Sequence, residues 1–521
     1  MNPIEPSGPT LRGAILGGAH ATRDWPDSPN GPDQLLSFLR DDHTALSLWF
    51  GDATLARMAG EGADARNRLA LWLRGAIDRD LARIDSLLSA QLDAILHHPR
   101  LLRLEGSWRA LARLVAQASA EAPMRVRLLS ARWDELARDL ERALEFDQSM
   151  FFRMVYESEF GRAGGEPFGL MVVDHEVAHR PPPRAPGGRP PVDDVAVMKL
   201  LRSVAAAAFV PMILGASPTL LGADRFSDLA LSHDMASVLA DADHARWRSM
   251  TEGEDSRFLG VTLPRVLARP PWTRVQTGGW YEEYAPDEDS RCWCVAGYAL
   301  AGLVLRAHAA FRWPADIRGV VAGRVGGGLV TDTVEEPFRF GAETTLPRGI
   351  TDLAFNDTQE RLLIAANLIP LNTLPYGFAA FGAVRSLQSR PAAAPGRRIT
   401  GEQANRRLSA ELNAILCASR FAHYVKIIGR DMAGGHASAR DIERTLQTWL
   451  RGYTNSNISP DAGSRARHPL LSSQVQVTDN PERPGAMDCV IQLQPFHQLD
   501  DVSTVLRLTT SLSGPDMAAA R

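Results

Sequence analysis

Two apolar runs, "FGLMVVD" (168–174) and "VPMILGA" (210–216), flank the helix-patterned stretch "VDDVAVMKLLRSVAAAAF" (192–209). A strand that is apolar on both sides cannot face water on either. Two such strands joined through a helix run parallel, so this region demands a sheet covered on both faces. "VRLLS" (126–130), ahead of the amphipathic "WDELARDLERAL" (133–144), reads as one further strand. The expected fold is α/β: a mixed, mostly parallel sheet body with helices on both faces. An N-terminal helical segment precedes it and a C-terminal α+β domain follows. Leu170, Val172 and Ile213 are expected to be inaccessible to solvent.

Composition shifts divide the 521 residues into four stretches. Residues 1–68 begin as a loose lead-in rich in Gly, Pro and Asp. Residues 69–120 are helical, with Ile77, Leu81, Ile84, Leu88, Leu92 and Ile95 forming one apolar stripe that Pro99 stops. Ser107 is expected to N-cap a second helix with Trp108, Leu111 and Val115 facing inward. Residues 121–395 form the α/β body, interrupted by "RPPPRAPGGRPP" (180–191), an exposed connector.

The last stretch, 396–521, opens with a helix from about 405 to 429 carrying Leu408, Leu412, Ile415, Phe421, Val425 and Ile428. That is more apolar surface than an exposed helix needs, so it belongs at the centre of its domain. Arg406, Arg407 and Lys426 are expected to face outward. Strand-like segments "SQVQVTD" (473–479), "MDCVIQLQP" (487–495) and "DVSTVLRLTTS" (501–511) complete the chain. A small sheet is marginal by itself and leaves unpaired edges. Val475, Val477, Val490, Ile491, Leu493, Leu506 and Leu508 are therefore candidates for strand pairing with another chain. Proline at Val477 or Ile491 is expected to delete a ladder donor.

A search for chemistry ends without a site. The net charge of −4 lacks the basic footprint of a nucleic-acid binder, although 55 of 57 cationic residues are arginine. Cys292, Cys294, Cys417 and Cys489 show no CxxC spacing, and four thiols fit a reducing compartment. The start lacks a signal-peptide pattern, and the apolar run 204–216 is short of the ~20 residues that span a bilayer. The expectation is a soluble, cytoplasmic protein without membrane insertion.

His97 and His98 project about 100° apart on a helix, so they cap its end rather than converge on a metal. "GRVGGGLV" (323–330) contains no Lys-Ser/Thr and is no P-loop; its glycines serve a turn or a close approach. Ser217 lacks the second glycine of a nucleophile elbow. Glu157, Glu159 and Glu166 fit a helix end leading into a glycine turn better than an acid–base pair. No catalytic residue, metal or cofactor site is expected, and the chain does not read as an enzyme.

Several segments carry a family resemblance. They are "IDSLLSAQLDAILHHP…LEGSWRAL" (84–111), "VYESEFGRAGGEPFG" (155–169), "SVAAAAFVPMILGASP" (203–218) and "EDSRFLGVTLPRVL" (254–267). "NRRLSAELNAILCASRFAHYVKIIGRD" (405–431), "RARHPLLSSQVQV" (465–477) and "PFHQLDDVSTVLRL" (495–508) continue the series. Together they resemble the TssC/VipB family, the large subunit of the type VI secretion contractile sheath. The first 70 residues, the proline-rich insertion and the Phe/His order in "PFHQL" depart from the family pattern.

The resemblance implies a structural protein that pairs with a small sheath subunit. It further implies a helical polymer with neighbouring large subunits, wrapped around inner-tube hexamers and seated on a baseplate. Contraction would propel the tube and its effectors outward, and an AAA+ ATPase would take the contracted polymer apart. The alternative is a sheath-like or baseplate-associated binding paralogue that does not contract.

Overall fold

The computed structural model describes residues 11–16, 42–62, 64–118, 124–162, 164–183, 190–230, 234–320, 325–334, 336–340, 343–374, 377–389, 410–433, 438–455, 457, 462–479, 487–495 and 506–512. They fall into two compact units, one of residues 1–101 with 271–290 and one of 102–270 with 291–521.

The first unit is built on helix α1 (Ala65–Leu96). Its buried residues are Ala76 and Asp80, and Asp80 accepts from the Arg12 guanidinium at 2.6 and 2.8 Å and from the Trp49 indole at 2.9 Å. The apolar stripe is largely exposed, with Leu81 53% and Leu88 51% accessible. His97 caps α1, its N–H donating to Asp93 O at 2.8 Å. The chain then enters a new helix at Pro99, where His98 Nδ1 accepts from Arg100 N–H at 3.3 Å. Proline here starts a helix as well as ending one. Residues 271–290 join this unit through side chains: Tyr281 donates to Asp93 at 2.6 Å, and His97 Nε2 lies 3.1 Å from Glu283.

In the second unit, helix α2 (Pro99–Gln117) contains Ser107 in its interior, with the hydroxyl donating to Arg103 O at 2.9 Å. The expected N-cap is thus corrected: Pro99 opens the helix eight residues earlier. The buried stripe is Leu102, Gly106, Ala110 and Leu114, and Trp108 is 56% exposed. Spacing by four from a glycine sets this face. A Cβ on Gly106 would lie 2.1 Å from Trp293 O, so only glycine lets the helix approach the antiparallel ribbon of Arg265–Arg269 and Cys292–Val295.

The body sheet has six strands: β1 (Met171–Val177), β2 (Met212–Ala216), β3 (Leu259–Leu263), β4 (Leu329–Val330), β5 (Ile369–Thr373) and β6 (Ala379–Phe381). Their order is β1-β2-β3-β5-β6-β4. The first three pairings are parallel and the two involving β6 are antiparallel, so the sheet is mixed and mostly parallel. Helices α3 (Asp194–Ala208) and α4 (Gly297–Phe311) take opposite faces. Met212 and Leu214 pack with Met198 and Leu201 of α3, whereas Ile213 between them packs with Leu300 and Leu303 of α4.

Ile213 is fully buried on the inner strand β2, but Leu170 and Val172 are only half-buried, in and just ahead of β1, which ends the sheet's strand order. Residues 126–130 form no strand and are exposed, Leu128 by 60%, which corrects that expectation. Arg125 and Arg127 in this stretch instead bind Glu166 and Glu159. Those ion pairs anchor an extended segment without a ladder.

Candidate functional site

The groups that chemistry would need are spent on structure. Glu159 takes Arg127 and the Glu166 N–H, holding the glycine turn between them. Ser217 caps a short helix and bonds the Thr219 hydroxyl at 2.8 Å. Cys292 and Cys294 are buried on one face of an antiparallel ribbon, and burial pushes both thiols up to about 12. Gly327 adopts φ 60° and donates to Asp316, and a Cβ on Gly328 would meet Phe381 O at 2.1 Å. Among the described residues no three His, Cys, Asp or Glu side chains gather as a metal set. No described helix is long and apolar enough to cross a membrane.

What remains is the C-terminal assembly of helix α5 (Leu412–Ala433), helix α6 (Ala439–Arg451) and strands β7 (Leu470–Asp479), β8 (Met487–Pro495) and β9 (Leu506–Leu512). Ser438 N-caps α6 by accepting from Asp441 N–H, and Ile442, Leu446 and Leu450 make its buried stripe. That stripe packs with Phe421 and Val425 of α5 and with Val475, Val477, Cys489, Ile491 and Leu493 of the sheet. Leu412 and Leu416 of α5 meanwhile join the core under α4, and Ile415 joins the core under α3. The helix therefore ties the C-terminal sheet to the body, as its apolar content requires. Leu408, Arg406 and Arg407 lie outside the described residues.

Lys426 does not present its charge outward. Its ammonium sits 4.9 Å from the Tyr156 ring centroid, 5.0 Å from Phe160 and 5.1 Å from Phe209, and it donates to the Tyr156 hydroxyl at 3.2 Å. Three π faces attract the cation inward, and this corrects the expectation of an exposed base.

The seven candidate pairing residues come together in one antiparallel sheet of order β7-β8-β9. Val475 faces Ile491, which faces Leu508, and Leu493 faces Leu506. Val490, Ile491 and Leu493 thus lie on a central strand whose two edges are both used within the chain. Among the described residues β7 and β9 are the edges of this sheet.

Those two edges differ. Val475 N–H donates to Gln447 Oε1 at 3.0 Å and Val477 N–H to Glu443 Oε2 at 3.0 Å, so both point away from β8. Val475–Ile491 is then a non-hydrogen-bonded pair, and Ile491 turns its main-chain groups toward Leu508. By the same alternation Arg507, Thr509 and Ser511 of β9 turn theirs outward. Glu443 and Gln447 escaped the sequence reading because a polar i,i+4 pair looks like a solvated helix face. Their position beside the stripe Ile442, Leu446 and Leu450 is the signal that could have flagged them.

An α/β body is thus joined through α5 to a C-terminal sheet of three antiparallel strands. Family comparison agrees. Residues 78–388 match the model of the EvpB/VC_A0108 tail sheath N-terminal domain, and residues 401–512 match the EvpB/VC_A0108 tail sheath gpW/gp25-like domain. The type VI secretion system sheath protein TssC1 of Pseudomonas aeruginosa is 32% identical over 449 residues, covering 84% of this chain and 86% of the relative. The chain belongs to the TssC/VipB family of type VI secretion sheath large subunits, a family of structural proteins.

Two solved structures are more distant. A chain of the anti-feeding prophage baseplate has TM-score 0.30 and 9% identity, covering 61% of this chain and 66% of that one. A sheath tail protein from Desulfitobacterium hafniense has TM-score 0.28 and 11% identity, covering 62% and 63%.

Proposed function

We propose that this chain pairs with a small sheath subunit and that the pairs stack with neighbouring large subunits into a helical tube around inner-tube hexamers. The tube rests on a baseplate, contracts to drive the inner tube and effectors outward, and is dismantled by an AAA+ ATPase. Family membership supports this reading, and the single structural observation that carries it is the alternation of β9, which turns every second residue's main-chain groups away from β8. Its outward N–H and C=O groups at Arg507, Thr509 and Ser511 suit main-chain pairing with a strand from another chain. Such a contact joins unlike surfaces and does not close on itself, the condition for a helical filament. Contraction needs only two packings of the same subunits that differ in free energy.

Co-expression with the small subunit, followed by negative-stain microscopy, tests the proposal. Hollow tubes are expected. A stable heterodimer that never forms tubes would favour the non-contracting paralogue instead.

A further inference from the structure

The β7 edge is engaged at Leu470, Ser473, Val475 and Val477 by the chain's own groups. At its start Leu470 N–H donates to Tyr453 O at 3.3 Å, and Leu470 O accepts from Asn455 N–H at 2.9 Å. Further on, Gln447 acts at two alternate positions: its amide NH2 donates to Ser473 O at 3.1 Å while its carbonyl accepts from Val475 N–H. One turn back on α6, the Glu443 carboxylate accepts from Val477 N–H. An amide that donates to one residue and accepts from the next but one reproduces the bonds that one residue of an added parallel strand would make, continuing the parallel bridge of Thr454 to Leu470.

The arrangement is built rather than incidental. Glu443 and Gln447 stand four residues apart, on one side of the stripe that seats α6 against the sheet, so both side chains reach the edge with their helix already fixed. Edge strands invite pairing with other chains unless covered or blocked. A helix that lends side-chain hydrogen bonds to the edge covers it without adding a strand.

We propose that Gln447 and Glu443 are specificity-determining residues that act as a strand mimic. They forbid β7 from accepting another chain, so the sheet can be extended only at β9. In this respect the inference deepens the assembly reading, because it says which of two edges growth can use. A sheet open at both ends would accept partner strands in either direction and allow misregistered polymers, whereas a sheet with one shut edge imposes a direction.

The closure is tested on the purified full chain, without a partner. Hydrogen exchange resolved to single amides is compared between the native protein and the Glu443→Ala/Gln447→Ala variant. Alanine keeps the helix while removing both acceptors. The amides of Val475 and Val477 are expected to exchange roughly tenfold faster in the variant, the scale of one lost hydrogen bond. Residues 487–495 should remain protected. Light scattering at matched concentration should show the variant gaining mass over the native chain through the opened edge. Adding Val477→Pro should remove that gain, because proline has no N–H to offer a new strand.

Should the double variant fail to fold, Gln447→Met carries the test alone. It keeps the side chain's bulk, and only Val475, not Val477, should accelerate. Unchanged exchange at Val475 in either variant would overturn the proposal, as would faster exchange in the double variant with no gain in mass. Failure to form tubes with the small subunit would not move these rates, so the two readings fail separately.

Discussion

Proline placed at Ile491 and at Val477 should produce unequal damage, although both positions are apolar, buried and on adjacent strands. Ile491 is 1% exposed and turns its N–H toward Leu508. Proline there deletes a ladder bond between β8 and β9 and clashes on a central strand, costing about 3 kcal/mol or more. Val477 sends its N–H to Glu443 instead. Proline at that position loses one side-chain hydrogen bond, about 1 kcal/mol, and leaves the β7–β8 ladder intact.

The difference of about 2 kcal/mol corresponds to roughly a thirtyfold greater opening of the β8–β9 pair in Ile491→Pro. Hydrogen exchange and limited proteolysis of residues 487–512 read this directly. Ile491→Pro should expose β9 to cleavage while the body stays folded, and Val477→Pro should retain a protected β8–β9 pair. Equal loss of protection in the two variants would refute the assignment of which main-chain groups face which edge. It would also remove the distinction between β7 and β9.

Three further outcomes are expected. Gly106→Ala forces a methyl to 2.1 Å from Trp293 O and should destabilise the larger unit by about 1–3 kcal/mol, visible as a lower thermal midpoint; an unchanged midpoint would count against that close approach. Lys426→Glu sets a carboxylate against three aromatic faces and should lower the melting temperature of the chain by itself, whereas a loss confined to tube co-assembly would restore an exposed role for this residue. His423, pushed down to about 3 chiefly by burial and also by Arg420, stays neutral in the folded chain while the unfolded chain takes up a proton near 6.5. Its contribution is therefore full above pH 6.5 and falls by about 1.4 kcal/mol per unit as the pH drops toward 3; His423→Leu should flatten denaturant-derived stability over that range by about one proton.

Strands buried on a half-apolar or fully apolar pattern were legible in the sequence. β2 and the C-terminal strands β7 and β8 stand where alternation or continuous apolarity places them, since a slip of one residue would turn their buried set outward. Residues 126–130 carry the same apolar residues but are held by ion pairs rather than a ladder, and composition does not distinguish the two. The stripe of α1 and the exposure of Trp108 mislead for a related reason. Apolar spacing says that one face is distinct, not that this chain covers it. The grouping of residues 271–290 with α1 rests on contacts such as Tyr281 to Asp93, nearly two hundred residues apart in the chain. The closing of β7 is hidden because Glu443 and Gln447 are ordinary residues for a helix surface. Only the position of α6 beside the strand gives them their partners.

A density map of the tube formed with the small subunit, at a resolution that traces strands, would show which edge of the C-terminal sheet another chain extends. A strand from another chain is expected beside Arg507, Thr509 and Ser511, with Gln447 and Glu443 still bonded to β7. A foreign strand paired along Val475 and Val477, with those two side chains displaced, would contradict that expectation.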